Sequence, residues 1–253
     1  MMSDADRVTQ WLEEQRIAQM IGWDFSHIED RYEQDDTPWD IREIIKSYLQ
    51  PDYQLLDMDT GGGEFLLSLE HPCRNICVTE AYAPNVAYCR EKLEPLGIRI
   101  YEANGEEALP FADNSFDMVI NRHGSYTAQE IYRVLKPGGI FATQQVGERN
   151  DRELVRLLMP EIETQYPGWD LSHNVQAFRS AGFEILQQGE AFPEIRFYDV
   201  GALIWFARII AWEFPGFSVE TCMDKLWEAQ RLLEEKGVLS GKVHRFLLVA
   251  RKV

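Results

Sequence analysis

Between residues 51 and 146 the chain alternates short apolar runs with longer segments in which apolar positions recur at helical spacing. The runs predict strands over 53–58, 76–80, 98–102, 116–121 and 139–146. The periodic segments predict helices beginning near Glu64, Asn85, Ala108 (a short one) and Thr127. Strand and helix in strict alternation imply a parallel sheet. Beyond residue 146 the alternation loosens. Helices are expected over 150–160 and 172–181, with Gly182 ending the second, and two further strands over 183–188 and 243–251. Residues 192–237 lie between those strands, rich in aromatics and mostly helical in pattern. Ahead of the sheet, helix-like segments over 4–21 and 39–49 flank an acidic, aromatic linker over 29–39, with Pro38 as a helix-start signal.

One junction stands out. The first apolar run, Leu55-Leu-Asp-Met58, leads through Asp59 and Thr60 into Gly61-Gly-Gly63, and a new apolar periodic segment starts at Glu64. Glycines open backbone regions closed to other residues and let a ligand approach the main chain. The following helix points its unpaired N–H groups into the same space. A ligand site at the carboxyl end of this first strand follows. A dinucleotide fingerprint would need a third glycine at Leu66, and a phosphate-binding P-loop would need a lysine, of which there is none between Lys46 and Lys92. Glu80 ends the second strand in register with the glycine turn, where a carboxylate can accept hydrogen bonds from both vicinal hydroxyls of a ribose.

The turn resembles the first motif, Asp-x-Gly-x-Gly-x-Gly, of class I S-adenosylmethionine (SAM)-dependent methyltransferases. Asp57, Gly61 and Gly63 match, and Asp59 stands at the first glycine. The stretch from Glu102 to Ile120, with Leu109-Pro-Phe111 and Ser115-Phe-Asp117, resembles the family's Asp-Ala-x-x-Leu-Pro-Phe-x-Asp-x-Ser-Phe-Asp-x-Val segment. Arg133-Val-Leu-Lys-Pro-Gly-Gly139 resembles the turn before the family's fifth strand, where Lys136 closes the helix and Pro137 with the glycines makes the turn.

The resemblance implies a Rossmann-like α/β fold: a seven-stranded, mostly parallel sheet with helices on both faces. It adds an N-terminal helical lid over residues 1–50, with a solvated connector as the alternative for the linker, to a SAM-binding methyltransferase domain over 51–253. Residues 192–237 would be a cap inserted before the last strand, over the acceptor pocket and not a second domain. The implied cofactor, SAM, would be held by Asp57, Asp59, Gly61, Gly63, Glu80, Ala81, Asn104, Gly105, Glu106 and Asn121. Gly105 occupies the family's acidic adenine-contacting position, so that role passes to Asn104, Glu106 or main-chain groups. Asp59 would either pair with the cofactor's ammonium or crowd its carboxylate. The implied reaction is in-line displacement of a methyl group onto a small-molecule acceptor. His123, in the segment after the fourth strand, is the candidate base, against a histidine that only hydrogen-bonds main chain. Tyr126, Gln144, Arg196, Tyr198 and Trp205 are candidate acceptor contacts. Two alternatives accompany this reading: a SAM-binding protein of the same fold that catalyses nothing, and an RNA methyltransferase.

Composition narrows these. The net charge of −17 opposes docking onto nucleic acid or an anionic membrane, and with the aromatic cap favours a small apolar or cationic acceptor. The acidic N-terminus lacks a signal-peptide core, and the apolar stretch 200–207 is too short to span a bilayer, so a cytoplasmic location is expected. His71, Cys73, Cys77 and Cys89 raise a metal reading. No Cys-x-x-Cys pair is present, and packed thiols with no metal are the expectation.

Overall fold

Strand residues alternate between two buried faces from the first run onward. The computed structural model describes residues 3–19 and 25–253. In chain order its helices and strands are α1 (Asp4–Ile17), β1 (Tyr32–Gln34), α2 (Ile41–Tyr48), β2 (Leu55–Met58), α3 (Glu64–Leu67), β3 (Ile76–Glu80), α4 (Ala83–Leu93), β4 (Arg99–Glu102), β5 (Phe116–Arg122), α5 (Ala128–Val134) and β6 (Leu135–Val146). There follow α6 (Arg152–Leu158), α7 (Leu171–Ser180), β7 (Phe183–Ala191), β8 (Glu194–Phe197), α8 (Val200–Ile209), α9 (Met223–Lys236), β9 (Leu239–Lys242) and β10 (Arg245–Lys252). Contacts divide these elements between two units. One takes residues 38–147, 168–191 and 245–253; the other takes the described residues up to Thr37, with 148–167 and 192–244.

The first unit holds a seven-stranded sheet in the order β4-β3-β2-β5-β6-β10-β7. The pairs from β4 to β6 are parallel, and β10 runs antiparallel to both β6 and β7. Leu55, Ile76, Val78, Met118 and Ile120 pack with Ile41, Ile45, Leu66, Cys89 and Leu93 of α2, α3 and α4. Leu56, Met58, Cys77, Phe116 and Val119 pack on the other face with Ile131, Val134, Val175 and Phe178 of α5 and α7. Two-residue alternation with both faces apolar is why these strands read as continuous apolar runs. Helices cover both faces, as the resemblance implies.

The second unit has its own core, in which Trp11, Ile28, Leu154, Phe197, Leu203, Phe206 and Leu226 are buried. Its β1, β8 and β9 form a three-stranded antiparallel sheet. Arg31 joins its elements by pairing with Glu14 of α1 and with Asp199, the N-cap of α8, at 2.8 and 2.7 Å.

Several expectations are corrected. The N-terminal segment does not extend to residue 50, because α2 buries Ile41 and Ile45 in the core of the seven-stranded unit. The segment 192–237, expected as a cap without a core of its own, contributes most of the second unit's buried residues. It also holds a strand, β8, and the acidic linker supplies β8's partner, β1. The first helix ends at Ile17; its expected last residues, 20 and 21, lie outside the described residues. No helix forms at Ala108. There Leu109 donates its N–H to Glu130, and Arg133 donates to the carbonyls of Leu109 and Phe111, so α5 side chains take the backbone groups a helix would use. The turn at Pro137 lies within β6, whose ladder slips from Phe116↔Leu135 to Met118↔Ile140, with Gly138 at φ 77°.

Candidate functional site

β2 ends in a turn whose backbone only certain residues tolerate. Asp59, Gly61 and Gly63 have φ of 55°, 64° and 81°. A Cβ on Gly63 would come within 2.8 Å of the Leu93 side chain, so helix α4 packs directly against this glycine. Asp57 accepts the Thr60 hydroxyl at 2.6 Å, and Gly63 N–H bonds the Thr60 carbonyl at 3.1 Å. Gly61 is held by both its polar groups. Its N–H donates to Glu80 Oε2 at 2.9 Å, and its carbonyl accepts the Cys89 thiol at 3.0 Å.

Glu80 is the hinge of this arrangement. Placed at the end of β3 and 5% exposed, it also accepts the N–H groups of Ala81 and Tyr82, at 3.0 and 2.9 Å, and the Asn85 amide at 3.4 Å. One carboxylate therefore joins the glycine turn to the start of α4. The neighbouring acids are strained electrostatically. Burial pushes Asp57 up to about 7, with Asp59 and Glu80 adding to the rise and the Thr60 hydroxyl and Arg122 opposing it. Burial also pushes Asp59 up to about 7, helped by Glu80 and Glu106 and opposed by a bond from the Ser125 main chain. Burial, with Glu80, Glu64 and Asp57, lifts the Cys89 thiol to about 12, so it serves as a donor and not a nucleophile.

Past β4, Asn104 turns its side chain back to accept the Glu106 N–H at 3.0 Å, and both residues are exposed. Gly105 is buried, and a Cβ there would lie 2.0 Å from the Ser125 carbonyl. The segment after β5 thus occupies the place an acidic side chain would need, which accounts for the glycine. The same segment touches the first turn at Gly124, where a Cβ would meet Asp59 Oδ2 at 2.3 Å. Asn121 braces the two: fully buried, it donates to the Met58 carbonyl at 3.1 Å and accepts from Gln145. It is a structural bracket. His123 sits at φ 62°, with its N–H on the Gln144 carbonyl at 3.1 Å. Burial, then the charges of Arg245 and Arg122, hold its imidazole well below the usual range, so it is neutral at physiological pH.

Asp57, Asp59, Gly61, Gly63, Glu80, Ala81, Gly105 and Asn121 are therefore linked through the glycine turn and the two segments bonded to it. The expected acceptor contacts are not among them. Tyr126 is 7% exposed, donates to Asn174 at 2.9 Å and packs on Phe141 and Phe178, which makes it core. Gln144 accepts from the Trp39 indole at 2.8 Å. In the second unit Trp205 is 4% exposed with its ring edge against Phe25. Arg196 forks onto Asp35 at 2.8 and 3.1 Å, and Tyr198 donates to Glu33 at 2.7 Å. Three residues in or against the turn were given no part in it by the sequence reading: Thr60 in the turn itself, Cys89 of α4 and Arg122 at the end of β5. For Arg122 a signal existed, a charge closing the apolar strand Val119-Ile-Asn-Arg122. Cys89 had none, because a thiol on a helix face reads as packing.

Residues 56–143 match the family model described as a methyltransferase domain. The ubiquinone/menaquinone biosynthesis C-methyltransferase UbiE of Pasteurella multocida is 31% identical over 115 residues, 40% of this chain and 42% of that protein. The sterol 24-C-methyltransferase ERG6B of Gibberella zeae is 31% identical over 113 residues, 39% of this chain and 28% of that protein. The matched part thus spans less than half the length of these curated relatives. Among solved structures, the YcgJ protein of Bacillus subtilis superposes with a TM-score of 0.57 at 18% identity, covering 84% of this chain and 97% of its own. At that identity the likeness speaks for the fold alone. Taken with the sheet order and the glycine turn, these matches show the class I methyltransferase fold in the seven-stranded unit, whose residues 56–143 are similar to the methyltransferase-domain family.

Proposed function

We propose that this chain binds SAM at the glycine turn and transfers its methyl group to a small-molecule acceptor. The observation that carries the reading is Glu80, whose buried carboxylate ties the Gly61 N–H to the start of α4. When bound, SAM supplies an activated methyl group on a sulfonium. The chain's own residues position, and they set charge. The Asn85 amide at 3.4 Å is the weakest of the four bonds to Glu80, and a ribose hydroxyl takes its place. Gly61 and Gly63 let the ligand reach main chain, and Gly105 offers the adenine ring main-chain groups only. Asp57 and Asp59, both pushed up to about 7, ionise in favour of a cationic ligand. His123, neutral beside Arg122, is in the protonation state to take a proton from an acceptor.

The acceptor class follows from charge and from the relatives. A net charge of −17 disfavours an RNA substrate, and the two named relatives are a ubiquinone/menaquinone biosynthesis C-methyltransferase and a sterol 24-C-methyltransferase. We place the protein in the cytoplasm. No helix among the described residues is long and apolar enough to cross a membrane, and the four cysteines are free thiols. The test is transfer of label from methyl-labelled SAM, offered phenols, quinols, sterols and bulk RNA. Label on a small molecule and none on RNA is the expected result. Label on RNA alone would refute the acceptor class, and no transfer to any of them would favour the non-catalytic SAM-binding alternative.

A further inference from the structure

Beside the glycine turn, Arg122 is a cation with no hydrogen-bond acceptor on its buried Nε among the described residues. It closes β5 after Asn121, and strand alternation puts it on the face of Met118 and Ile120, the face that α2, α3 and α4 cover. Its guanidinium carbon lies 4.0 Å from the centre of the Phe65 ring. Phe65 is in the first turn of α3, directly behind the glycine turn. The charges Arg122 feels are Asp57, which favours the cation, and Arg42 of α2, which opposes it. Its Nε is buried and has no hydrogen-bond partner among the described residues. A buried donor on a charged group without an acceptor is unfavourable, and the planar guanidinium fork matches a carboxylate. Asp57 and Asp59, at the same turn, carry the opposite sign. A cation with Asp57 within electrostatic reach, and Asp59 at the same turn, complements a zwitterionic α-amino acid.

We propose that Arg122 is the carboxylate-recognising residue beside this turn and holds the methionyl carboxylate of SAM, leaving Asp57 and Asp59 to face the ammonium. The inference rests on the reading of the turn as a SAM site. It also decides between the two roles open to Asp59: with the carboxylate on Arg122, Asp59 pairs with the ammonium. A carboxylate on the acceptor is the other source of the same chemistry.

Calorimetric titration of the full chain with SAM and with decarboxylated SAM, on wild type and on Arg122→Met, separates these cases. The expected result is that Arg122→Met binds SAM about 10–100-fold more weakly, the worth of charge-assisted hydrogen bonds, while its affinity for decarboxylated SAM equals that of wild type. Equal affinity for decarboxylated SAM also shows that the variant is folded. Should Arg122→Met not fold, Arg122→Lys, which keeps the charge without the fork, must narrow the preference for SAM over its decarboxylated form. Unchanged SAM affinity, with benzoate binding the S-adenosylhomocysteine-loaded wild type but not the loaded variant, upholds carboxylate recognition and assigns it to the acceptor. Full discrimination against decarboxylated SAM in the variant, with no difference toward benzoate, overturns the inference. A wild-type protein that binds neither cofactor form overturns the SAM reading and this inference with it.

Discussion

Asp59 shows how one residue couples the turn's backbone to its charge. It occupies the left-handed region at φ 55°, where Asp and Asn are the tolerated non-glycine residues, and its carboxyl is pushed up to about 7. In the unfolded chain that group titrates near ~3.9. Between those values the folded state binds the extra proton, so stability is fully present below about pH 4 and falls as pH rises toward 7. Asp59→Asn keeps the backbone and removes the titration. Its thermal midpoint should stay close to that of wild type near pH 4 and exceed it increasingly up to pH 8. A constant difference across that range would show that Asp59 does not titrate in this way. At this scale a residue's place in a motif is a usable signal for its bonding neighbours, as the bonds of Asp57 to Thr60 and of Glu80 to Gly61 illustrate. It failed for Tyr126, Trp205 and Arg196, because an aromatic or a charge reads the same in sequence whether it lines a pocket, packs a core or closes an ion pair.

Among the elements, the strand–turn–helix of β2 and α3 has the tightest requirements, and its glycines differ in what they need. Gly63 combines φ 81° with Leu93 only 2.8 Å from where a Cβ would stand, whereas Gly138 has φ 77° and open space. Gly138→Ala should cost about 1–2 kcal/mol, the left-handed penalty alone. Gly63→Ala adds overpacking against α4 and should cost roughly 1–3 kcal/mol more. Denaturant titration of the two variants checks this, and equal losses would mean that α4 yields without cost. The buried strands were legible because apolar alternation on two faces leaves few other readings. The sheet of β1, β8 and β9 was not. Its strands are three or four residues long, polar at alternate positions, and drawn from segments far apart in sequence. The expected helix at Ala108 fails for a similar reason, since Glu130 and Arg133 capture that backbone from another element.

For the whole molecule, a seven-stranded, mostly parallel sheet follows from strand–helix alternation plus two late strands and the family resemblance, and was foreseeable. The second core was not, because its apolar residues come from three stretches separated by the larger unit's own elements. Around both units lies a net charge of −17, which suits a cationic cofactor and opposes polyanions. The cofactor reading stands or falls on Glu80, whose carboxylate holds the turn and, in the proposed complex, the ribose. Calorimetric titration with SAM, on wild type and on Glu80→Ala shown by circular dichroism to be folded, addresses it directly. Wild type should bind SAM, and Glu80→Ala should bind it about 1–3 kcal/mol more weakly, the worth of charge-assisted hydrogen bonds left unmade. A folded Glu80→Ala protein binding SAM as tightly as wild type, or a wild type that binds none, would contradict the assignment of this turn as the cofactor site.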